Sequence, residues 1–371
     1  MRLYELTITD ADGSVWYPET SGLGFVKQSP TWGASFSSLY TPWVLNTASS
    51  PLAGQANPSA LNVEIDLQIA PAHTLQGQGS IRIWGLGVRA LGQAANLNAT
   101  GNPPSVFKIW TLRAGMSAGL PLANPSQSGI LAGGIIYQAF GNWEDVNQTL
   151  ELIVQNGPTP LLTTAISWQW TKGQALSAAL KQMFSQAFPA YAASINISEN
   201  LIAPSTQTGC YMNLGSFSKY LLAYTQRIGA QQYGSGYGGV SIVAKNNGIF
   251  VIDGQGTTPA SHQLAFQDLV GQPTWIAANT ITFATVMRGD IDYGDTVTFP
   301  TGTQTPYALT TPGAAFPNSP AASATAFQGA FLVTEIHHYG NFREPQASSW
   351  ATVFTAVLDQ TTPELGVDLL D

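Results

Sequence analysis

Apolar and polar residues alternate over 61–69, LNVEIDLQI. Leu61, Val63, Ile65, Leu67 and Ile69 share one side, and Asn62, Glu64, Asp66 and Gln68 the other. Period two is the repeat of a strand with one buried and one wet face. GSIRIWGLGV (79–88), SVFKIWTLRAG (105–115), GILAGGIIYQAF (129–140) and QTLELIVQNG (148–157) follow, each bounded by Gly, Pro or Asn. The stretch 1–158 reads as one antiparallel β domain.

The period then changes. In KGQALSAALKQMFSQAF (172–188), Leu176, Leu180, Phe184 and Phe188 recur every four residues, and SFSKYLLAYTQRIG (216–229) repeats the pattern with Phe217, Leu221, Tyr224 and Ile228. Both predict helices, the second stopping at Gly229. A hairpin is expected next, with strands at 240–244 and 249–252 around Asn246-Asn247-Gly248. Residues 159–261 thus form a small α+β module. Strand patterns return over 262–371, in NTITFATVM, GDTVTF, GAFLVTEIHHYG and SSWATVFTAVL. They are interrupted at 300–329 by a Pro-, Ala-, Ser- and Thr-rich stretch expected to be a long loop that contacts neighbours.

Composition sharpens this picture at one point. Only 9% of the 371 residues are charged, against about 25% in an ordinary soluble domain. With 10 Trp, 13 Tyr and 16 Phe, the chain is not disordered. A surface so poor in charge fits one covered by partners in an assembly, or a neutral secreted β protein. The net charge of −8 and 13 scattered Lys and Arg argue against tight phosphate binding. A single cysteine, Cys210, leaves no internal disulfide and no cysteine-based zinc site. The opening MRLYELTITDADG lacks an apolar signal core, and no apolar run is long enough for a membrane span, so no membrane insertion is expected.

Several motifs resemble chemistry, and each has a plainer reading. GMSAG (115–119) has the form of a hydrolase elbow around Ser117, but LPLANPSQSG after it cannot open the helix such an elbow needs. Gly234, Gly236 and Gly239 match a dinucleotide-binding pattern, yet they follow a helix and precede a strand, the reverse of the required order. Asp290, Asp292 and Asp295 cluster without the further ligands of a calcium loop and read as a turn. The Arg288-Gly289-Asp290 tripeptide is too short to mean anything alone. His337 and His338 are adjacent in a strand pattern, so their rings point to opposite faces and cannot share a metal. A zinc site would need His73 or His262 gathered from afar. We expect no catalytic, metal or cofactor residue.

The ordered set of segments resembles the baseplate hub proteins of contractile-tailed bacteriophages, the Mu-like hub and late-control D group related to the N-terminal part of type VI secretion spike proteins. The resemblance rests on LNVEIDLQI with GQGSIRIWGLG, FKIWTLRAG with ILAGGIIYQAF, and the helices WTKGQALSAALKQMF and FSKYLLAYTQRIG. It continues through NNGIFVID, LVGQPTWIAANTITFATVM, DIDYGDTVTF and the hairpin FLVTEIHHYGNF…SSWATVFTAVL. Asp290 stands where the family has a proline, and Gly340-Asn341 where it has Gly-Asp. The resemblance implies a fold of two tail-tube-like antiparallel β-barrel domains flanking the α+β module. It further implies a homotrimer whose six units form a pseudo-sixfold ring, with His338 and Gly340 in structural roles. By the same resemblance the chain is a non-enzymatic virion protein, assembled in the host cytoplasm, that joins the sixfold tail tube to the threefold central spike. Its expected partners are the spike, a tube or tube-adaptor protein, the tape measure protein and baseplate wedge or ring proteins, with phage DNA crossing the lumen unbound. A carbohydrate-binding or carbohydrate-cleaving β protein is the alternative, and an esterase built on Ser117 a third reading.

Overall fold

The computed structural model describes residues 1–18, 34–40, 51–52, 54–69, 75–101, 106–116, 125–157, 164–189, 191–234, 237–245, 248–256, 260–277, 279–299, 327 and 329–358. Ser117, Gly236, His73, the Asn246-Asn247 pair and nearly all of the 300–329 stretch lie outside them.

Seven strands come from residues 1–158: β1 (Arg2–Thr9), β2 (Phe36–Ser37), β3 (Asn62–Gln68), β4 (Gln78–Trp84), β5 (Lys108–Met116), β6 (Gly129–Glu144) and β7 (Asn147–Asn156). They pair antiparallel in the order β3-β4-β7-β6-β5-β1-β2. The alternation predicted at 61–69 appears in β3, where Val63, Ile65 and Leu67 are buried and Asp66 and Gln68 exposed. The sheet curls until β1 approaches the far end of the chain. Tyr4 Oη donates to the Leu61 carbonyl at 2.8 Å, and its ring meets Phe342 edge-on at 4.8 Å. Arg2 donates to the carbonyls of Asn341 and Phe342.

The middle module holds β8 (Ile166–Trp170), helix α1 (Leu176–Ala187), β9 (Ala192–Asn196), β10 (Gln207–Tyr211), helix α2 (Leu214–Tyr233), β11 (Ser241–Lys245) and β12 (Gly248–Ile252). Its core packs Leu176, Leu180 and Phe184 of α1 against Trp168, Trp170, Phe217 and Leu221. Asn213 caps α2, accepting from the Ser216 N–H while the Ser216 hydroxyl accepts from Asn213. The predicted stop at Gly229 is wrong: α2 runs on to Tyr233 and ends at Gly234, whose φ of +90° favours glycine. Gly229 is instead a packing glycine, because a Cβ there would stand 2.4 Å from Cδ1 of Tyr237. β9 runs parallel to β12, a pairing no local pattern announced.

The last third contributes β13 (Ser261–Gln263), β14 (Thr274–Ala277), β15 (Thr280–Val286), β16 (Thr296–Thr298), β17 (Ala330–Asn341) and β18 (Trp350–Leu358). These strands join the first seven in one sheet, in the order β14-β15-β18-β17-β3, with β16 on β17 and β13 on β16. Their core is aromatic: Phe283 stacks on Phe354 at 5.1 Å and meets Phe299 edge-on at 5.0 Å, while Phe327 stacks on Trp275 at 5.5 Å. One apolar cluster runs from Tyr4, Leu6 and Trp110 through to these residues. The structure is therefore mainly β, a curled antiparallel sheet carrying a small α+β module.

Candidate functional site: the hairpin seam and the polar face

The histidine pair sits where the strands from the first part of the chain join those from the last part in one sheet. The first residues of β17, Ala330–Leu332, pair with β16, and its last, His337–Asn341, pair with β3. Between them the register against β18 shifts at Val333/Glu335. A bulge bends and twists a strand, which lets β17 leave one partner and take another. The β17–β18 hairpin thereby joins both sets of strands in one sheet.

Strand alternation separates the two rings as expected. His337 faces solvent, with Nε2 2.6 Å from Asp66 Oδ1 on β3. His338 is buried, with Nδ1 2.9 Å from Thr352 Oγ1. The Thr352 hydroxyl lies 3.3 Å from the Arg288 carbonyl oxygen and accepts from the Arg288 N–H at 3.2 Å. Whether its one proton serves that carbonyl or His338 Nδ1 sets which ring nitrogen of His338 carries the imidazole proton. Burial holds the His338 pKa well below the usual 6.5, helped by the nearby charges of Lys245 and His337. The imidazole is neutral and serves packing.

The three aspartates diverge. Asp290 takes a bidentate pair from Arg288, Nε to Oδ1 and Nη2 to Oδ2, both at 2.7 Å. Asp292 pairs with Lys245, the buried last residue of β11. Asp295 Oδ2 accepts from the Asp292 N–H at 2.7 Å and lies 3.2 Å from His262 Nε2. Burial raises the Asp295 pKa, against the hydrogen bond from Asp292 and the charge of His262. No group of three or more potential ligands gathers for a metal among the described residues.

Pattern reasoning missed a buried polar latch. Arg288, 4% exposed, also lies 3.7 Å from Asp268, whose Oδ1 accepts from Gln127 Nε2 at 2.8 Å. Gln127 precedes β6, so the cluster ties the first part of the chain to the last. Nearby, Gly129 and Gly289 approach so closely that a Cβ on Gly129 would stand 3.0 Å from the Gly289 carbonyl oxygen. The one legible signal was a cation directly after the apolar run ITFATVM, in a chain with few cations.

The solvent side of the sheet carries paired charges and leans acidic, with Ile109 and Tyr339 also exposed on it. Arg82 on β4 sits between Glu64 on β3 and Glu151 on β7, at 3.7 and 3.2 Å, and Arg113 on β5 pairs with Glu5 on β1 at 3.2 Å. Each guanidinium is neutralised by a neighbour. Asp66 and Glu335 add carboxylates, the latter accepting from Thr355 Oγ1 at 3.0 Å. Of the remaining motif residues, Gly234 ends α2, Gly239 precedes β11, and Cys210 is exposed. No described helix is long and apolar enough to cross a membrane.

The sequence matches no protein-family model and no curated relative. Solved structures resemble it at low identity. One is a tail protein of Neisseria meningitidis MC58, at 9% identity and a TM-score of 0.46, covering 96% of this chain and 97% of that one. Another is the 43 kDa tail protein of prophage MuSo2 from Shewanella oneidensis, at 8% identity and 0.46, with the same coverage. A third is an Escherichia coli component of the type VI secretion system, described as structurally similar to T4 bacteriophage tail proteins gp27 and gp5, at 9% identity and 0.44 over 80% of this chain and 73% of that one. The chain is similar, over most of its length, to phage tail proteins and to a type VI secretion component.

Proposed function

We propose that this chain is the structural hub of a contractile phage tail baseplate, a homotrimer that joins the sixfold tube to the threefold spike. The observation that carries the reading is the β17–β18 hairpin. The stretch with the most telling resemblance, FLVTEIHHYGNF…SSWATVFTAVL, is the element through which β17 joins β3 and the strands of the last part of the chain to those of the first. Each chain then offers two ring segments, 1–158 and 262–371, and three chains offer six. The α+β module 159–261 stands beside that sheet, held by Lys245–Asp292 and by the bond from Ala244 N–H to the Leu75 carbonyl.

The polar face suits a channel wall. Carboxylates repel a phosphate backbone, and guanidiniums already paired with carboxylates offer it little. DNA would pass such a wall without being held. On this reading the protein resides in the virion tail, contacts the spike, tube, tape measure and baseplate ring proteins, and uses no catalytic residue. Among the described tryptophans, Trp16, Trp110, Trp168, Trp170 and Trp350 are buried core residues and Trp143 alone is largely exposed, which weakens the carbohydrate alternative. Electron-microscopic averaging of the chain mixed with the spike protein of the same genome tests the proposal. A ring capping the spike supports it, and unassociated single chains overturn it.

A further inference from the structure

Charge is divided unevenly along the chain. Residues 159–261 hold five of the 13 Lys and Arg but two of the 21 Asp and Glu, so the α+β module is net positive in a chain of −8. The cations of the sheet are engaged: Arg82, Lys108, Arg113 and Arg288 each pair with a carboxylate. On the module, Lys172, Lys181, Lys219 and Arg227 are exposed and form no ion pair among the described residues.

Two of these cations flank an aromatic stair. Tyr220 stacks on Tyr224 at 5.7 Å, one turn along α2, and meets Tyr211 of β10 at 5.1 Å. The Arg227 guanidinium lies 5.1 Å from the centre of the Tyr224 ring, and Lys219 directly precedes Tyr220. All three tyrosines are half-buried, and Met212, next after Tyr211, is 84% exposed. Tyr, Met and Arg are side chains enriched where proteins meet.

A surface of opposite sign crowns the β6–β7 hairpin. Its turn is Asp145-Val146, between the paired Glu144 and Asn147. Aspartate suits the φ of +53° at 145, but the turn gains nothing from a valine, and Val146 is 92% exposed. Trp143 is 64% exposed, and its indole N–H donates to the Asp145 carbonyl at 2.9 Å, which ties the ring to the turn. Glu144 and Asp145 are exposed and in no ion pair among the described residues. The tip is an apolar knob carrying two free carboxylates.

The knob is not seated on its own module. The module meets this hairpin at its other end, where a Cβ on Gly157 would stand 2.7 Å from the Ala244 Cβ and Asn156 pairs with Gly134. The ten residues of β6 from Gly134 to Glu144 span about 33 Å. A platform for the knob therefore comes from another copy. Two different patches meeting make a head-to-tail contact, which closes into a ring when the rotation between copies allows.

We propose that the β6–β7 tip of one copy docks on the α2 platform of the next, with Trp143 and Val146 against Tyr220 and Tyr224, and Glu144 and Asp145 facing Lys219 and Arg227. The aromatic contact holds the pair, and the charges orient it. The inference rests on the self-assembly in the hub reading and is independent of its spike and tube.

The test is disulfide trapping between two full-length chains, both Cys210→Ser, with and without the spike protein. One carries Val146→Cys at the knob and the other Ala223→Cys beside the two tyrosines. A bridge should form in the mixture and in neither chain alone, since a head-to-tail contact never sets like against like. Charge reversal, followed by sedimentation, gives a second reading. Arg227→Glu and Glu144→Lys should each weaken self-association by about tenfold or more, and the chain carrying both should recover most of it. No bridge in the mixture, bridging of either chain with itself, or no recovery in the double variant each overturns the proposal. A trimer without this bridge overturns the contact alone, and bridged chains that never cap the spike support the contact while overturning the hub reading.

Discussion

Trp350 donates its indole N–H to the carbonyl oxygen of Gly115 at 3.0 Å, although 235 residues separate them. The bond fastens the first residue of β18 to the end of β5, and so holds the last part of the chain against the first. Around it, Phe342 meets the same indole at 5.9 Å and the Arg2 guanidinium lies 6.0 Å from its centre. Trp350→Phe removes the donor and leaves a buried carbonyl unpaired, which should cost about 1–2 kcal/mol in denaturant unfolding. Trp350→Ala adds a cavity and should cost about 3–5 kcal/mol.

Gly340 sits opposite Trp350 across the hairpin, where a Cβ would stand 2.6 Å from the indole Cε3 and 3.1 Å from Met287 Cε. Gly340→Ala should therefore destabilise by about 1–3 kcal/mol through overpacking. A variant as stable as the parent would show that the indole can move aside.

The buried imidazole of His338 makes stability depend on pH in a defined direction. Its folded pKa lies well below 6.5, so below pH 6.5 the unfolded chain takes up a proton that the native chain refuses. Stability is then full above pH 6.5 and falls as the pH drops through it, by up to about 1.4 kcal/mol per unit for this group. Asp253 and Asp295 act in the opposite sense, but only nearer the carboxylate range, since burial raises both from 3.8. Unfolding midpoints at pH 7.5 and 5.5 should differ for the parent and converge in His338→Gln. Lys245→Met should shrink the difference by removing a charge that opposes protonation.

Arg288 is the hub of the polar latch, and removing it strands two acids. Arg288→Met should cost about 3 kcal/mol, because a lost partner leaves Asp268 and Asp290 uncompensated. Arg288→Lys should recover only part of this, since an ammonium cannot repeat the bidentate geometry on Asp290. Equilibrium unfolding of the two variants checks the order.

The polar face gives a functional prediction separable from stability. Gln68→Lys with Ser80→Lys places cations on neighbouring strands of the solvent side, where surface changes alter stability within about 0.5 kcal/mol. If this face lines the DNA path, phage carrying both changes should assemble normally and release DNA more slowly in high-salt-sensitive fashion. Unchanged release kinetics would remove the face from the channel.

Local elements were legible because their physics is local. The period-two run at 61–69 gave β3, and the spacing of Leu176, Leu180 and Phe184 gave α1. The opposite facing of His337 and His338 followed from strand geometry alone. What joins the elements was not legible. The β3–β17 pairing spans more than 260 residues, and nothing in either segment names its partner. The Arg288–Asp268–Gln127 latch likewise depends on three distant chain segments meeting. Gly229 misled because a glycine late in a helical pattern marks a stop in sequence, while here the absent side chain makes room for Tyr237.

The central claim is that three of these chains complete one ring on the spike. Native mass of the purified chain, alone and mixed with the spike protein of the same genome, tests it most directly. The account predicts an assembly containing three chains of 39.3 kDa, formed alone or on addition of the spike. A stable monomer in both samples would contradict it.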